Sequence, residues 1–254
     1  STVRIMAGGT YVLSGTLNGQ VVVDSATSDE VKLVLSGATI TSSTGAAIAF
    51  VDAGESVVVL ADGTTNSLTD GASYADTTSA DAANAALFSM ADLTIGGAGT
   101  LDVTGQFDDG ITSKDGLVIS GGTITVKAVD DGVRGKDHLA VTGGTISVTA
   151  GGDALKSDND SDADSGYIDV SGGTLTLVAG AKGDGMDAEN DIIISDGKVT
   201  VAQAYEGLEA LNIVIGGGTT EVTTSDDGIN VSAGSAAATT ATTQAGGGPG
   251  GGPG

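Results

Sequence analysis

An acidic residue, a glycine or alanine, and an apolar residue recur six times between residues 108 and 229. The copies are Asp108-Asp109-Gly110-Ile111, Asp130-Asp131-Gly132-Val133, Gly152-Asp153-Ala154-Leu155, Gly183-Asp184-Gly185-Met186, Tyr205-Glu206-Gly207-Leu208 and Asp226-Asp227-Gly228-Ile229. From Asp109 the steps to Asp131, Asp153, Asp184, Glu206 and Asp227 are 22, 22, 31, 22 and 21 residues. A unit this short cannot bury its apolar side alone, so copies must stack, and a fixed period of this size marks a solenoid.

The text between motifs says which solenoid. Leu117-Val118-Ile119-Ser120-Gly121-Gly122-Thr123-Ile124-Thr125-Val126 is followed by Leu139-Ala140-Val141-Thr142-Gly143-Gly144-Thr145-Ile146-Ser147-Val148, with further copies at 167–177, 191–201 and 212–222. Each reads as two short alternating strands joined by a glycine corner, where one glycine of the pair takes positive φ at little steric cost. Alternation sends Leu117, Ile119, Ile124 and Val126 to the core and Thr123 and Thr125 outward. A third strand follows each acidic motif and points Ile111, Val133, Leu155, Met186, Leu208 and Ile229 inward. The expected fold is therefore all-β, a parallel β-helix with three strands per coil of about 22 residues, each strand pairing with its copy one coil away at ~4.8 Å.

Residues 10–105 carry the same grammar at less regular spacing, with Asp70 to Asn84 expected as a loop or short helix across one face. A single β-helix domain over 1–234 is expected. The stretch 235–254, ending in Gly-Gly-Gly-Pro-Gly-Gly-Gly-Pro-Gly, reads as a tail or linker.

Composition agrees and narrows the function. Only 3% of residues are aromatic and there is no Trp, which suits thin coils filled by Val, Ile, Leu and Ala. With 9 basic against 33 acidic residues the formal charge is −24, which excludes nucleic acid and anionic membranes as partners and favours cations or cation-bridged ligands. No apolar run is long enough for a membrane span. The absence of Cys rules out thiolate metal sites and disulfides, and fits an exported bacterial-type protein as well as a cytosolic one. Ser1 followed directly by strand-like sequence suits a mature start after cleavage of a signal peptide.

Stacking places Asp109, Asp131, Asp153, Asp184, Glu206 and Asp227 in file, with Asp108, Asp130 and Asp226 beside them. Two like charges at ~5 Å repel by ~3 kcal/mol at an effective dielectric of ~20, so the file needs neutralising. Protonation along an exposed edge would need large pKa increases, whereas a hard divalent cation with six to eight oxygen ligands does it readily, and Ca2+ is the best candidate. The plain alternative is that Asp-Gly only makes turns.

Three residues after each ladder carboxylate comes a second column of Thr112, Arg134, Lys156, Asp187, Glu209 and Asn230. It reads either as surface ion pairs or as a site where Arg134, Lys136 and Lys156 hold an anionic sugar beside the calcium ligands, with Tyr205 adjacent. Glu206, Glu209 and Asp227 form the strongest acidic cluster in sequence. Asp158, Asp160 and Asp162 sit in the one long repeat, an acidic loop that is either a second calcium site or solvated; Ala163 where an EF-hand has Gly argues against that motif. His138 is the only histidine, so a multi-His zinc site is excluded. No nucleophile elbow or phosphate loop is present.

The phrases Gly9-Thr10-Tyr11-Val12-Leu13-Ser14-Gly15, Ala61 to Thr69, Asp109-Gly110-Ile111-Thr112-Ser113-Lys114-Asp115, Lys156-Ser157-Asp158-Asn159, Tyr205 to Ala210 and Asp226 to Asn230 are similar to those of a known family. This is the calcium-containing, polysaccharide-binding β-helix family of bacterial surfaces and secretomes, described as carbohydrate-binding domain-containing and similar in fold to pectate lyases. The resemblance implies a right-handed β-helix, bound calcium and affinity for polysaccharides such as polygalacturonate or cellulose, without established catalysis. Gly152-Asp153 and Gly183-Asp184 depart from it by lacking the first acid of the pair.

The expectation is thus an extracellular or cell-surface, non-catalytic, calcium-dependent polysaccharide-binding protein. One rival is a structural protein whose coils self-associate end to end into calcium-stiffened fibres, since solenoid ends expose strand edges. Another is a calcium-dependent lyase with Arg134 or Lys156 as base. Ice binding through the Thr/Ser face is a fourth.

Overall fold

The computed structural model describes residues 1–79 and 81–232; the segment 235–254 read as a tail or linker lies outside them. Among the described residues there is no helix, and the strand pairings are parallel. One sheet carries the motif strands in the order Thr2–Ile5, Gln20–Asp24, Ile48–Asp52, Ala85–Ser89, Asp109–Ser113, Val133–Gly135, Leu155–Ser157, Met186–Ala188, Leu208–Ala210 and Ile229–Val231. The two strands that follow in each repeat form two further files. These count as one sheet because Gly9–Asn18, Glu30–Thr41, Tyr167–Val178 and Asp191–Gln203 run through the corner and pair in both files. The result is a β-solenoid of about nine turns at ~24 residues per turn. The mean exceeds the 22-residue motif spacing because some coils carry longer excursions. Asp70 to Asn84 is one of these, and where described it is loop rather than helix.

Register follows the motif spacing. Ile111, Val133, Leu155, Met186, Leu208 and Ile229 are partners in file, as are Leu117, Leu139, Ile168 and Ile192. All but the terminal Ile229 are fully buried, so the core is a set of aliphatic stacks running the length of the molecule. The Thr/Ser columns face outward as expected, but Lys198 interrupts the file Thr123, Thr145, Thr174, Thr219.

Two kinds of glycine hold this geometry. Gly122 and Gly144 turn the corner at φ of 91° and 96°, the left-handed region. The motif glycines do something else, since none has positive φ. At Gly207 a β-carbon would stand 2.3 Å from the Gly228 carbonyl oxygen and 2.3 Å from Val222 Cγ1, so this position lets the corner of one coil close on the next. At the terminal copy, Gly228, nothing lies within 4 Å. Gly207→Ala is therefore expected to destabilise by about 1–3 kcal/mol through overpacking. Gly228→Ala should be neutral or stabilising by up to about 1 kcal/mol through the unfolded chain. Denaturant melts of the two variants check this, and equal effects would contradict it.

Candidate functional site

Four of the six ladder carboxylates are held by the backbone of the following coil. Asp109 Oδ1 accepts the N–H of Asp131 at 3.2 Å, Asp131 Oδ1 that of Asp153 at 2.9 Å, Asp153 Oδ1 that of Asp184 at 2.8 Å, and Asp184 Oδ1 that of Glu206 at 2.9 Å. The ladder is thus a relay in which a side chain of one coil satisfies a main-chain donor that the sheet leaves unpaired. The cost is burial. Asp109 is 1% exposed, Asp131 7%, and Asp153, Asp184 and Glu206 8% each, so the exposed edge expected from sequence is instead an enclosed one. Accepting that N–H draws Asp109, Asp131, Asp153 and Asp184 inward over the corner. Burial raises Asp109 to about 6 and Asp131 and Asp184 to about 7, well above the ordinary carboxylate range.

The second column lines up as read, with Thr112, Arg134, Lys156, Asp187, Glu209 and Asn230 partners in register. It neutralises the middle of the ladder. Lys156 Nζ contacts Asp153, lies 3.1 Å from Asp187 Oδ2 and 3.8 Å from Asp131 Oδ2. Burial opposes its charge, but Asp131, Asp153 and Asp187 outweigh that and hold its pKa above the ordinary lysine value. Arg134 pairs through both Nε and Nη2 with Asp158 and lies 3.9 Å from Asp109. Both bases are therefore engaged within the protein.

The two ends of the ladder are less well served: at the first, Arg134 stands 3.9 Å from Asp109 but is engaged by Asp158, and at the second no base forms an ion pair among the described residues. Carboxylate oxygens of Asp108, Asp109 and Asp130 lie within 4.8 Å of one another, and so do those of Asp184, Glu206 and Glu209. An amide closes each group on its outer side. Asn84 Nδ2 donates to Asp109 Oδ2 at 2.6 Å and Asp108 Oδ2 at 3.3 Å, and Asn230 Nδ2 donates to Glu206 Oε2 at 2.7 Å. Ser232 Oγ donates to Glu209 Oε1 at 2.6 Å. Burial raises Asp130 and Glu206 above their ordinary values, with Asp108 adding repulsion at Asp130 and Glu209 at Glu206. The donor sets are hard oxygens without nitrogen or sulfur, spaced as ligands ~2.4 Å from a shared ion require, and they fit a cation of the calcium type.

Asp227 is exposed and outside both groups, so the later cluster forms with Asp184 in its place; the Glu206 N–H anchors Asp184 there, while Asp227 has no such tie. Asp226 is exposed beside Tyr205, itself 40% exposed. Asp158 is occupied by Arg134, Asp160 is exposed, and Asp162 Oδ1 accepts the Asp164 N–H at 3.0 Å. These loop carboxylates do not converge with the ladder groups. Lys136 is partly buried and outside the ion pairs. His138 stacks on Tyr167 with centroids 5.3 Å apart. Asn84, Asn230 and Asp187 were not singled out as site residues from the sequence. Counting back from Asp108 through the pairing of Asp109 with Ala85 finds Asn84, and the second column contains the other two.

Three comparisons bear on this geometry. The model of the carbohydrate-binding domain-containing protein family matches residues 1–248. A carbohydrate-binding domain-containing protein of Acetivibrio thermocellus is 48% identical over 202 residues, covering 79% of this chain and 70% of that protein. Among solved structures, a gadolinium derivative of a polysaccharide lyase-like protein from C. thermocellum superposes with a TM-score of 0.72 at 33% identity, covering 90% of this chain and 87% of the other.

Proposed function

The chain belongs to the carbohydrate-binding domain-containing protein family, and from that premise we propose that it binds polysaccharide outside the cell, without catalysis, through calcium held at the two ends of its carboxylate ladder. The observation that carries the reading is the uneven neutralisation: Lys156 serves the middle, while the groups Asp108/Asp109/Asp130 and Asp184/Glu206/Glu209 have carboxylates facing carboxylates, with only Arg134, itself engaged by Asp158, 3.9 Å from Asp109 in the first. Buried like charges at this spacing favour a divalent ion over shared protons at neutral pH. The solved neighbour being a gadolinium derivative supports this, since gadolinium seeks the same hard oxygen donors. Three protein carboxylates per group leave coordination positions for water or for the carboxylate of a uronate. That is how a chain of net charge −24 takes an acidic polysaccharide of the pectin type.

Support for binding without cleavage comes from the same contacts. A lyase base must lose its proton at working pH. Lys156, enclosed by Asp131, Asp153 and Asp187, is held charged, and Arg134 likewise has its pKa raised: burial opposes its charge, but Asp158 and Asp109 outweigh that.

Calorimetric titration with polygalacturonate and with a neutral glucan, each with calcium and with excess chelator, tests the reading. Removal of calcium should weaken polygalacturonate binding by about tenfold or more, one charge-assisted contact's worth, and leave ultraviolet absorbance flat throughout. Equal affinity in chelator would remove the bridging role, and growth of unsaturated product would make the protein an enzyme.

A further inference from the structure

Four of the chain's nine basic residues, Lys114, Arg134, Lys136 and Lys156, lie on one face of three successive coils. They divide sharply. Arg134 and Lys156 are each bound by carboxylates, whereas Lys114 and Lys136 form no ion pair among the described residues. The remaining unpaired lysines, Lys127, Lys182 and Lys198, are exposed and apart from one another. Lys114 and Lys136 are partly buried and adjacent.

Their adjacency follows from register. Ser113 pairs with Ser89 above and Gly135 below, the Lys114 N–H donates to the Ser89 carbonyl at 2.9 Å, and the Lys136 N–H donates to the Ser113 carbonyl at 3.1 Å. The two lysines are therefore the same position in consecutive coils, with backbones about 4.8 Å apart. Strand alternation puts both on the face of Arg134. Lys114 bears the consequence: burial first, then repulsion from Arg134 and Lys136, lowers its pKa despite Asp109 and Asp158.

In a protein of charge −24, two lysines at the same position of consecutive coils, partly desolvated and in no ion pair among the described residues, repel each other unless something else completes them. We propose that Lys114 and Lys136 are a carboxylate-binding step for an acidic polysaccharide, gripping one uronate group with an oxygen on each ammonium. This rests on the acidic-polysaccharide reading above and supplies a contact that needs no metal. The step lies beside the Asp108/Asp109/Asp130 group, because Lys114 follows Asp109 by five residues on the same strand and turn. A single chain thus meets a cation at one sugar and the lysine pair at another. Arg134 acts indirectly, kept off the ligand by Asp158.

The test uses the whole protein in saturating calcium and the double variant Lys114→Gln/Lys136→Gln, which keeps the aliphatic stems. Ligands are polygalacturonate, its methyl ester, a neutral glucan and a sulfated glucan. The double variant should bind polygalacturonate about tenfold or more weakly, with a smaller salt dependence. It should bind the ester and the neutral glucan as the parent does, and melt no lower than the parent, because neither lysine pairs within the fold and their mutual repulsion is gone. Equal polygalacturonate affinity in parent and variant would overturn the lysine step and leave the calcium-bridged reading standing. A parent that binds no polysaccharide would overturn both. Tighter parental binding of the sulfated glucan than of polygalacturonate, lost in the variant, would overturn the carboxylate assignment in favour of a sulfate ester.

Discussion

Lys156→Met is expected to lower stability by about 3–5 kcal/mol at pH 8, the loss typical of removing one partner from a buried ion pair, or about 6–20 °C in melting temperature for a chain of this length. The ammonium sits among Asp131, Asp153 and Asp187, and methionine fills its volume without its charge. What remains is two buried carboxylates in file, Asp131 and Asp153, and the partly buried Asp187 beside them. The loss should shrink towards pH 5, where Asp131, raised to about 7, and Asp187, raised to about 6, take up protons, and Asp153→Asn in the same chain should recover part of it by removing one repelling charge. Thermal melts of the single and double variants at both pH values decide the matter. A pH-independent loss, or none, would mean that Lys156 is only packed there.

Calcium should have an effect of similar size and opposite sign. Two sites filled at a hundred times their dissociation constants contribute about 2.7 kcal/mol each, or together about 10–20 °C in melting temperature. Without calcium the ladder makes an unusual pH profile. Asp109, at about 6, and Asp131 and Asp184, at about 7, are raised by burial, so the folded protein holds protons that the unfolded chain releases near pH 4. Stability from these groups is fully present below that unfolded value and is lost as pH rises through about 6 to 7. In chelator, melting temperature should therefore fall between pH 5 and pH 8. With calcium the trend should flatten or reverse, because the ion binds the deprotonated carboxylates. Differential scanning calorimetry at pH 5, 6, 7 and 8, with and without calcium, reads all of this. Identical profiles with and without the ion would contradict it.

Much of the architecture is legible in the spacing of Asp109, Asp131, Asp153, Asp184, Glu206 and Asp227, because a solenoid converts sequence period directly into register. The file from Ile111 to Ile229, and the order Arg134, Lys156, Asp187, Glu209 beside it, need only counting. The burial of the acids is not legible that way. For Asp109, Asp131, Asp153 and Asp184 it depends on accepting a main-chain N–H one coil on, and a main-chain donor has no residue-type signature. The same holds for Gly207, whose reason is a carbonyl 2.3 Å from where its β-carbon would stand rather than a turn. Arg134 and Lys156 read as sugar-holding bases until their neighbours in adjacent coils are placed, which shows them enclosed by Asp109, Asp158, Asp131 and Asp187. Asn84 is hidden by the loop from Asp70, which breaks the period just before it and packs Tyr74 on Phe107 with centroids 4.4 Å apart.

On the proposed reading Lys156 neutralises the middle of the ladder and hard cations neutralise its ends. Anomalous difference maps from crystals grown in calcium, and then soaked with a lanthanide, examine it directly. Peaks are expected among Asp108, Asp109 and Asp130 and among Asp184, Glu206 and Glu209, with none beside Lys156. Empty ends, or an ion lodged between Asp131 and Asp153, would contradict it.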